Sequence, residues 1–490
     1  MRITRNPESM AGERFDLVVI GGGIVGVCTL LEASRRGLKT LLIEAEDYGG
    51  ATSWNSLRII HGGLRYLQNL DLGRFRRSVG EQAWWIQNFP DLIEPLPCVM
   101  PLYNSGLRRT QVMRLALKLN DVMAGPIRQS IMRNKGWEKS KILTAQETRD
   151  VFPLVRNEKL CGAAQWCDAR MNSPQRLIVE LLRWAVAAGG NCLNYMRCTG
   201  FETQDDRITA VRATCGVSER EFLFETKSVI NCCGPWWKDV AGLSDPGSAN
   251  DHAAECAVAF NVVVNRDRLS DAGLAVSAKG SNAATYFIVP YGDKMMVGTE
   301  HLAPQPNPTP SEQQVDALLN QINLAIPGLE LGVTDVTLLL SGRLPTSSVG
   351  SPTPSKSAKM VVSEGFSNLT SVECPKYTTA RQVAELALEG AAVRGQFELK
   401  KISQVSRPIP VEVRSTDMSE LITQPAMVRD LQLWVEEESV VHLDDLVVRR
   451  CDMDSAKQLT LGRYLADTLD WPTSPDAQMQ RLIGAQSKHH

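Results

Sequence analysis

Apolar positions near the beginning of the chain predict a strand, a helix and a second strand in close succession. The uninterrupted apolar run at 15–20 is typical of a buried strand, and residues 24–36 have the apolar spacing of a helix. A second apolar run at 38–43 predicts the next strand. This order favours the first part of a doubly wound α/β sheet, whose remaining strands must come from later in the chain.

The later patterns supply strands of two kinds. Short apolar runs, such as 228–232 before a turn at Gly234, suit the same α/β sheet, whereas residues 253–340 contain runs of period two that predict an antiparallel sheet in a separate domain. The other predicted elements are a hairpin at 207–213 and 221–226, strands at 360–362 and 369–372, helices at 177–188, 312–325 (capped by Ser311) and 379–392, and a mostly helical region at 400–490.

Composition narrows the class of protein. The chain has 490 residues, which predicts two or three domains, and its hydrophobic content of 43% with a net charge of −2 indicates a globular protein without general affinity for nucleic acid. It shows neither a membrane-spanning run nor a signal peptide, so we expect a cytoplasmic location. The 12 cysteines form no C-x-x-C pair, and we interpret them as reduced core residues.

Glycines between the first strand and helix predict a dinucleotide site. Gly21, Gly23 and Gly26 fit the G-x-G-x-x-G turn, in which the backbone approaches a pyrophosphate, and the helix that begins at Ile24 presents its N-terminus to that anion. Glu44 follows the second strand at the distance expected of an acid that accepts hydrogen bonds from a ribose. Together these features predict a bound dinucleotide.

The segment TSWNSLRIIHGGLRYL at 52–67 resembles the flavin-binding signature of the FAD-dependent glycerol-3-phosphate dehydrogenases, a family within the D-amino-acid oxidase superfamily. Motifs at 231–237, 289–299, 341–345, 376–385 and 442–450 follow in the order that this family uses. The resemblance implies FAD as the cofactor. The cofactor contacts it implies, with those of the glycine turn, are Gly21, Gly23, Ile24, Gly26, Glu44, Thr52, Ser53, Ser56, His61, Gly62, Gly63, Gly234 and Lys376.

The resemblance also implies a fold and its boundaries. We expect a discontinuous, Rossmann-like α/β FAD-binding domain, an α+β substrate domain with an antiparallel sheet, and a small helical C-terminal domain. The expected boundaries are 14–100, 155–250 and 340–395 for the FAD-binding domain, 101–154 and 251–339 for the substrate domain, and 396–490 for the C-terminal domain.

Four residues match or adjoin family positions that line the substrate pocket. Arg65, Tyr66, Arg343 and Lys376 together supply three cations and a phenol, which suit an anionic substrate. The family carries a histidine on the first strand of the substrate sheet, where this chain has Asn261, and an amide is not a general base. The remaining candidates for a base are His61, Lys376, Tyr66 and His301, and no metal site is expected.

Three functions stay open on these residues. The first is an FAD-dependent dehydrogenase that moves a hydride from a hydroxyl-bearing carbon of a small, phosphorylated or anionic substrate to flavin N5, with quinone or oxygen as the electron acceptor. The second is an amine or amino-acid oxidase of the same superfamily, which needs no strong base, and the third is a non-catalytic flavin redox sensor. For Cys374, a space-filling thiol is favoured over a thioether to flavin.

Contact with a membrane also stays open. The segment 107–135 combines arginines and lysines with apolar residues at helical spacing, which suits a peripheral position on the inner membrane. The alternative is an amphipathic helix packed on the protein core.

Overall fold

The computed structural model describes residues 2–68, 70–103, 108–132, 137–156, 158–243, 252–277, 284–409, 434–450, 455–469 and 473–487, with Leu431 and Trp471. The strands in these ranges are β1 (Arg14–Phe15), β2 (Leu17–Ile20), β3 (Thr40–Ile43), β4 (Ile59–Ile60), β5 (Ile93–Leu102), β6 (Lys141–Leu143), β7 (Gly162–Met171), β8 (Asn191–Leu193), β9 (Met196–Gln204), β10 (Arg207–Cys215), β11 (Glu221–Thr226), β12 (Val229–Asn231), β13 (Ala257–Val264), β14 (Gly273–Val276), β15 (Tyr286–Tyr291), β16 (Lys294–Leu302), β17 (Val336–Leu344), β18 (Lys359–Val362) and β19 (Leu369–Glu373). The helices are α1 (Pro7–Met10), α2 (Ile24–Arg35), α3 (Leu64–Gln68), α4 (Leu72–Asn88), α5 (Thr110–Met132), α6 (Ala145–Val151), α7 (Pro174–Ala187), α8 (Trp237–Ala241), α9 (Glu312–Ala325), α10 (Ala380–Gly395), α11 (Leu443–Val447), α12 (Ser455–Thr468) and α13 (Pro475–Ser487).

A six-stranded sheet, called the parallel sheet below, has the order β18-β19-β12-β2-β3-β8. Its strands are parallel except β18, and β2 and β3 are buried along their whole length. Burial on both faces explains why these strands are continuous apolar runs. The strands come from distant parts of the chain, so the α/β unit is discontinuous, as expected.

A smaller four-stranded sheet has the order β1-β11-β10-β9 and contains the predicted hairpin of β10 and β11. The first apolar run, predicted as one strand, serves two sheets. Its beginning pairs with β11 in the small sheet, and after Asp16 the chain continues as β2 in the parallel sheet. The small sheet is thereby joined directly to the parallel sheet.

A nine-stranded sheet, called the large sheet, has the order β17-β13-β16-β15-β14-β5-β7-β4, with β6 also paired to β7. It includes the predicted antiparallel strands between 253 and 340. Strands β5 and β7 also belong to it, although the expected boundaries assign residues 93–100 and 162–171 to the FAD-binding domain. Prolines at 95, 97 and 101 make β5 difficult to predict as a strand, because proline cannot donate to a sheet.

The long helices follow their sequence signals closely. Helix α9 has the predicted bounds, and Ser311 and Gln314 form a capping box at its N-terminus. Helices α7 and α10 flank α2, and the three share a core cluster with the parallel sheet. The predicted helical region after residue 400 contains α11, α12 and α13, whereas its first residues, 400–409, form neither helix nor strand.

The C-terminal unit packs on the rest of the protein through buried ion pairs and hydrogen bonds. Arg450 Nη1 lies 2.6 Å from Asp47 Oδ2, and Tyr195 Oη donates to Asp445 Oδ1 at 2.5 Å. Asp47 follows β3 by only a few residues. The C-terminal unit is therefore attached next to the end of the parallel sheet that carries Glu44.

Candidate functional site

The turn between β2 and α2 has no room for side chains. Gly21 has φ of 104°, and a Cβ atom there would lie 2.7 Å from the carbonyl oxygen of Cys232. A Cβ atom on Gly26 would lie 1.8 Å from the carbonyl oxygen of Gly21. The first turn of α2 contains no acidic residue. The turn thus presents its backbone to an anion without side chains in the way and without negative charge in the first turn of the helix.

Glu44 lies where the sequence places it, at the end of β3. Its carboxylate accepts hydrogen bonds from Gly22 N at 2.6 Å and Glu46 N at 2.9 Å. Burial raises the pKa of Glu44, and these two N–H groups oppose that rise. The carboxylate is held in one orientation beside the glycine turn, as the predicted ribose contact requires.

The loop at 51–56 connects the glycine turn to the large sheet. Ser53 Oγ accepts from Ile24 N at 3.0 Å and so caps α2. Thr52 Oγ1 donates to the carbonyl of Arg343 in β17 at 3.1 Å, and Asn261 Nδ2 donates to the carbonyl of Asn55 at 3.1 Å. The predicted cofactor loop is therefore fixed from both sides.

His61 follows β4 and faces a carboxylate that the sequence analysis did not identify. Ile59 pairs with Arg170 and Ile60 with Ala169, so the next residue, His61, comes beside Asp168. His61 Nδ1 lies 3.1 Å from Asp168 Oδ2, and the imidazole side chain is 47% exposed. A lone acid in the otherwise mostly apolar strand β7 is the signal that could have revealed Asp168.

Lys376 and Tyr66 come together although 310 residues separate them. Lys376 Nζ donates to Tyr66 Oη and lies 4.7 Å from the centre of the phenol ring. Arg65, on the same helix α3, is exposed. Burial raises the pKa of the neighbouring Cys374 thiol to about 11, so Cys374 is protonated at neutral pH.

The other predicted substrate residues are engaged within the protein. Arg343 is 6% exposed, and its guanidinium donates to the carbonyls of Gln305 and Pro306. Asn261 is buried in β13, and its Oδ1 accepts from Thr299 Oγ1 at 2.7 Å. Burial lowers the pKa of His301, which lies in β16. Their roles stay predictions.

The remaining predicted contacts occupy turns. Gly63 has φ of 86° and Gly234 has φ of 55°, values that favour glycine. Gly234 begins a short 3₁₀ turn directly after β12, and Ser56 Oγ accepts from Arg58 N at 3.3 Å. These residues are consistent with a backbone that curves around a ligand.

The donor set fits FAD. The bare glycine turn suits a pyrophosphate and Glu44 suits a ribose. Asn55 Oδ1, in the loop at 51–56, is buried and accepts no hydrogen bond from the residues that the structure describes. Those residues also contain no cluster of three or more histidine, cysteine or acidic side chains that could hold a metal ion.

Comparison with known proteins gives concordant results. A sequence model described as "FAD dependent oxidoreductase" matches residues 16–388. The glycerol-3-phosphate dehydrogenase of Synechocystis sp. is 28% identical over 422 residues, which covers 83% of this chain and 75% of that protein.

Solved structures show the fold. The glycerol-3-phosphate dehydrogenase from Bacillus halodurans, complexed with FAD, has a TM-score of 0.73 at 19% identity and covers 99% of this chain and 96% of its own. L-proline dehydrogenase from P. horikoshii has a TM-score of 0.58 at 16% identity and covers 80% of this chain and 96% of its own.

Proposed function

The chain belongs to the FAD-dependent oxidoreductase family, and from this we propose that it oxidises a hydroxyl-bearing carbon of a small anionic substrate, such as glycerol 3-phosphate. When bound, FAD supplies the two-electron acceptor that receives the hydride. A relative named glycerol-3-phosphate dehydrogenase, 28% identical over most of the chain, supports this substrate class.

The proposed cofactor contacts follow the geometry of the site. Gly21, Gly23, Gly26 and the α2 N-terminus at Ile24 hold the pyrophosphate, and Glu44 holds the ribose. The residues proposed to contact the flavin are Thr52, Ser53, Ser56, His61, Gly62, Gly63, Gly234 and Lys376.

The contact between Lys376 and Tyr66 carries the substrate proposal. An ammonium group held against a phenol offers a fixed positive charge with hydrogen-bond donors for a phosphate or carboxylate. Arg65 on the same helix adds a second, exposed cation. Arg343 is proposed as a further contact, although it must first leave the carbonyls of Gln305 and Pro306.

His61 is the proposed general base. Its ring is half-exposed, and its Nδ1 is occupied by Asp168, so Nε2 is the nitrogen that can take a proton from a substrate hydroxyl. Asn261 cannot serve, because an amide has no basic lone pair and both of its polar atoms have partners within the protein.

Anaerobic mixing tests the proposed function. Purified FAD-loaded protein is mixed with glycerol 3-phosphate, other polyol phosphates, glycerol and amino acids, and bleaching of the oxidised flavin band is followed. We expect bleaching by the polyol phosphates, with glycerol much weaker because it lacks the anion. Bleaching by amino acids alone would overturn the proposal.

Oxidation of an amine or amino acid is the second candidate. The observation in its favour is Asn261, which stands at the position of the family histidine and holds the carbonyl of Asn55 instead of a substrate. A neutral amine needs no strong base. The same mixing experiment decides between the two, since only this candidate predicts bleaching by amino acids.

We also propose that quinone or oxygen is the electron acceptor.

We further propose that the protein lies at the periphery of the inner membrane. No helix in the described part of the chain is long and apolar enough to cross a membrane. Helix α5 buries one face and exposes another, on which Val112, Leu115, Leu119 and Val122 repeat every three or four residues. Arg114 and Lys118 lie exposed beside this apolar stripe, and their positive charges suit binding to anionic lipids. Arg133 and Lys135 of the predicted segment lie outside the described residues.

A further inference from the structure

Asp168 is a buried carboxylate whose two oxygens are both engaged. Oδ1 accepts from Gly62 N at 2.7 Å and from Gln82 Nε2 at 3.4 Å. Oδ2 lies 3.1 Å from His61 Nδ1 and accepts from Trp166 Nε1 at 3.2 Å. The carboxylate therefore joins β7 to the loop that carries His61 and Gly62.

The hydrogen bonds around Asp168 favour its charged form. Burial alone would raise the pKa of Asp168, but the hydrogen bonds from His61, Gly62 and Trp166 bring it below its usual value. The group facing His61 is thus an anion over the physiological pH range.

An anion at this position selects one form of the imidazole. A neutral histidine carries its proton on one ring nitrogen and accepts with the other. Because a carboxylate can only accept, the proton of a neutral His61 is on Nδ1 and the lone pair on Nε2. The ring also packs on Phe287, with centroids 5.5 Å apart, and Ser78 Oγ donates to the His61 carbonyl at 2.8 Å.

The surroundings leave the carboxylate little freedom. A Cβ atom on Gly62 would lie 2.0 Å from Arg128 Nη2 and 2.8 Å from Gln82 Oε1. Arg128 Nη2 in turn donates to Gln82 Oε1 at 2.7 Å. Because residue 62 is glycine, the loop can approach the side chains of Arg128 and Gln82 closely. This close packing fixes the distance between Asp168 and His61.

We propose that Asp168 is the positioning residue that fixes the tautomer and orientation of His61, so that Nε2 faces the substrate as the proton acceptor. The inference rests on the proposed function. In the reaction the substrate O–H bond breaks and its proton moves to Nε2, while the C–H bond breaks and its electron pair leaves as a hydride to FAD. The O–H electron pair then forms the carbonyl, so the base and FAD between them account for both hydrogens.

Nuclear magnetic resonance of protein labelled with ¹⁵N-histidine tests the tautomer without turnover. The nitrogen chemical shifts show which ring nitrogen carries the proton, and His61→Gln identifies the signal. We expect Nδ1–H in the wild type. In Asp168→Asn the new amide donates to Nδ1 and moves the proton to Nε2. The control is Asp121→Asn, which replaces a carboxylate that accepts hydrogen bonds from Ser140 and should leave the His61 signal unchanged. A wild-type signal from Nε2–H would overturn the inference.

Flavin reduction in the same variants provides the second readout. Asp168→Asn and His61→Gln should each slow anaerobic reduction by about 10²-fold or more with little change in KM, which is the usual contribution of a general base. The double variant should lose no more than His61→Gln, since the two residues act as one unit. Additive losses would overturn the inference.

The two readouts separate the two claims. If Asp168→Asn moves the proton but no hydroxyl substrate bleaches the wild type, the proposed function fails and the positioning role stands. If hydroxyl substrates bleach the wild type but the tautomer is unaffected by Asp168→Asn, the positioning role fails.

Discussion

At the scale of single residues, two cationic side chains of the site have hydrogen-bond partners within the protein. Arg343 donates to two backbone carbonyls, and Lys376 donates to the phenol of Tyr66. A side chain that is already ordered loses less conformational entropy when it binds a ligand. Lys376 is in this sense prepared before the substrate arrives, whereas Arg343 must first leave its two carbonyl partners.

Replacement of Lys376 tests that preparation. Lys376→Met should lower kcat/KM for glycerol 3-phosphate by about 10- to 100-fold, since a hydrogen bond to a charged group contributes roughly 1.5–3 kcal/mol. The matched control is Lys141→Met, which removes an exposed cation 3.8 Å from Glu138 and should change little. Steady-state kinetics with a dye acceptor measures both, and equal values for wild type and Lys376→Met would remove the lysine from substrate binding.

The sequence predicted residue types at the site better than residue pairs. The glycines, Glu44 and His61 stand in local motifs and could be identified, whereas Asp168 is 107 residues away from His61. Their contact depends on the register between β4 and β7, which no local pattern specifies. The hydrogen bonds from Arg343 to the carbonyls of Gln305 and Pro306 likewise join separate parts of the chain, so no local pattern predicted them.

At the scale of elements, capped helices were predicted well and strands with unusual composition were not. Helix α9 carries its own start signal at Ser311 and was predicted to the residue. Strand β5 contains three prolines and was not predicted, because its strand character depends on neighbours in the large sheet that come from distant sequence. Strand β13 was predicted as a strand, but with alternating burial, and it is buried at every position.

Helix α5 provides a prediction about membranes. Wild-type protein should float with vesicles that contain phosphatidylglycerol and bind less to phosphatidylcholine alone. Leu115→Glu with Val122→Glu should weaken binding at least tenfold, because these side chains are 70% and 73% exposed and would otherwise enter the lipid. Leu324→Glu, on α9 and 56% exposed, is the control. Equal flotation of the double variant and the wild type would disprove the membrane contact.

Helix α11 provides a prediction about pH. Burial, with the nearby charges of Asp47 and Asp444, raises the pKa of Asp445 to about 7, while Arg449 and Tyr195 oppose the rise. The pKa of an aspartate is near 3.9 in the unfolded protein and about 7 for Asp445 in the folded protein. Between these two pH values the folded state binds more protons at this group than the unfolded state does. The contribution of Asp445 to stability therefore declines as pH rises through that window.

Urea unfolding at pH 5 and pH 8 measures this effect. The fall in midpoint between pH 5 and pH 8 should be larger for the wild type than for Asp445→Asn, which has no carboxyl to titrate. His442, whose pKa is lowered by burial, acts in the opposite direction in both proteins and cancels in the comparison. The same pH dependence in both proteins would contradict the assignment.

At the scale of the whole molecule, the site lies where the two larger sheets are joined. The loop at 51–56 caps α2 through Ser53 and is bonded to β13 and β17 through Asn55 and Thr52. Long-range pairs of this kind connect a cofactor site to a substrate sheet built from separate parts of the chain. The discontinuous α/β architecture could be predicted because the first strands need partners from later in the chain, whereas the strand composition of each unit depends on long-range pairs and could not.

The central claim, that the protein takes a hydride from a hydroxyl-bearing carbon, is tested most directly by isotopic substitution in the anaerobic half-reaction. FAD-loaded protein is mixed in a stopped-flow instrument with glycerol 3-phosphate that carries either hydrogen or deuterium at C2. We expect both to bleach the flavin and the deuterated substrate to do so more slowly, because the C–H bond breaks in the observed step. Flavin that stays oxidised with every hydroxyl substrate, or that is reduced at the same rate by both isotopic forms, would contradict it.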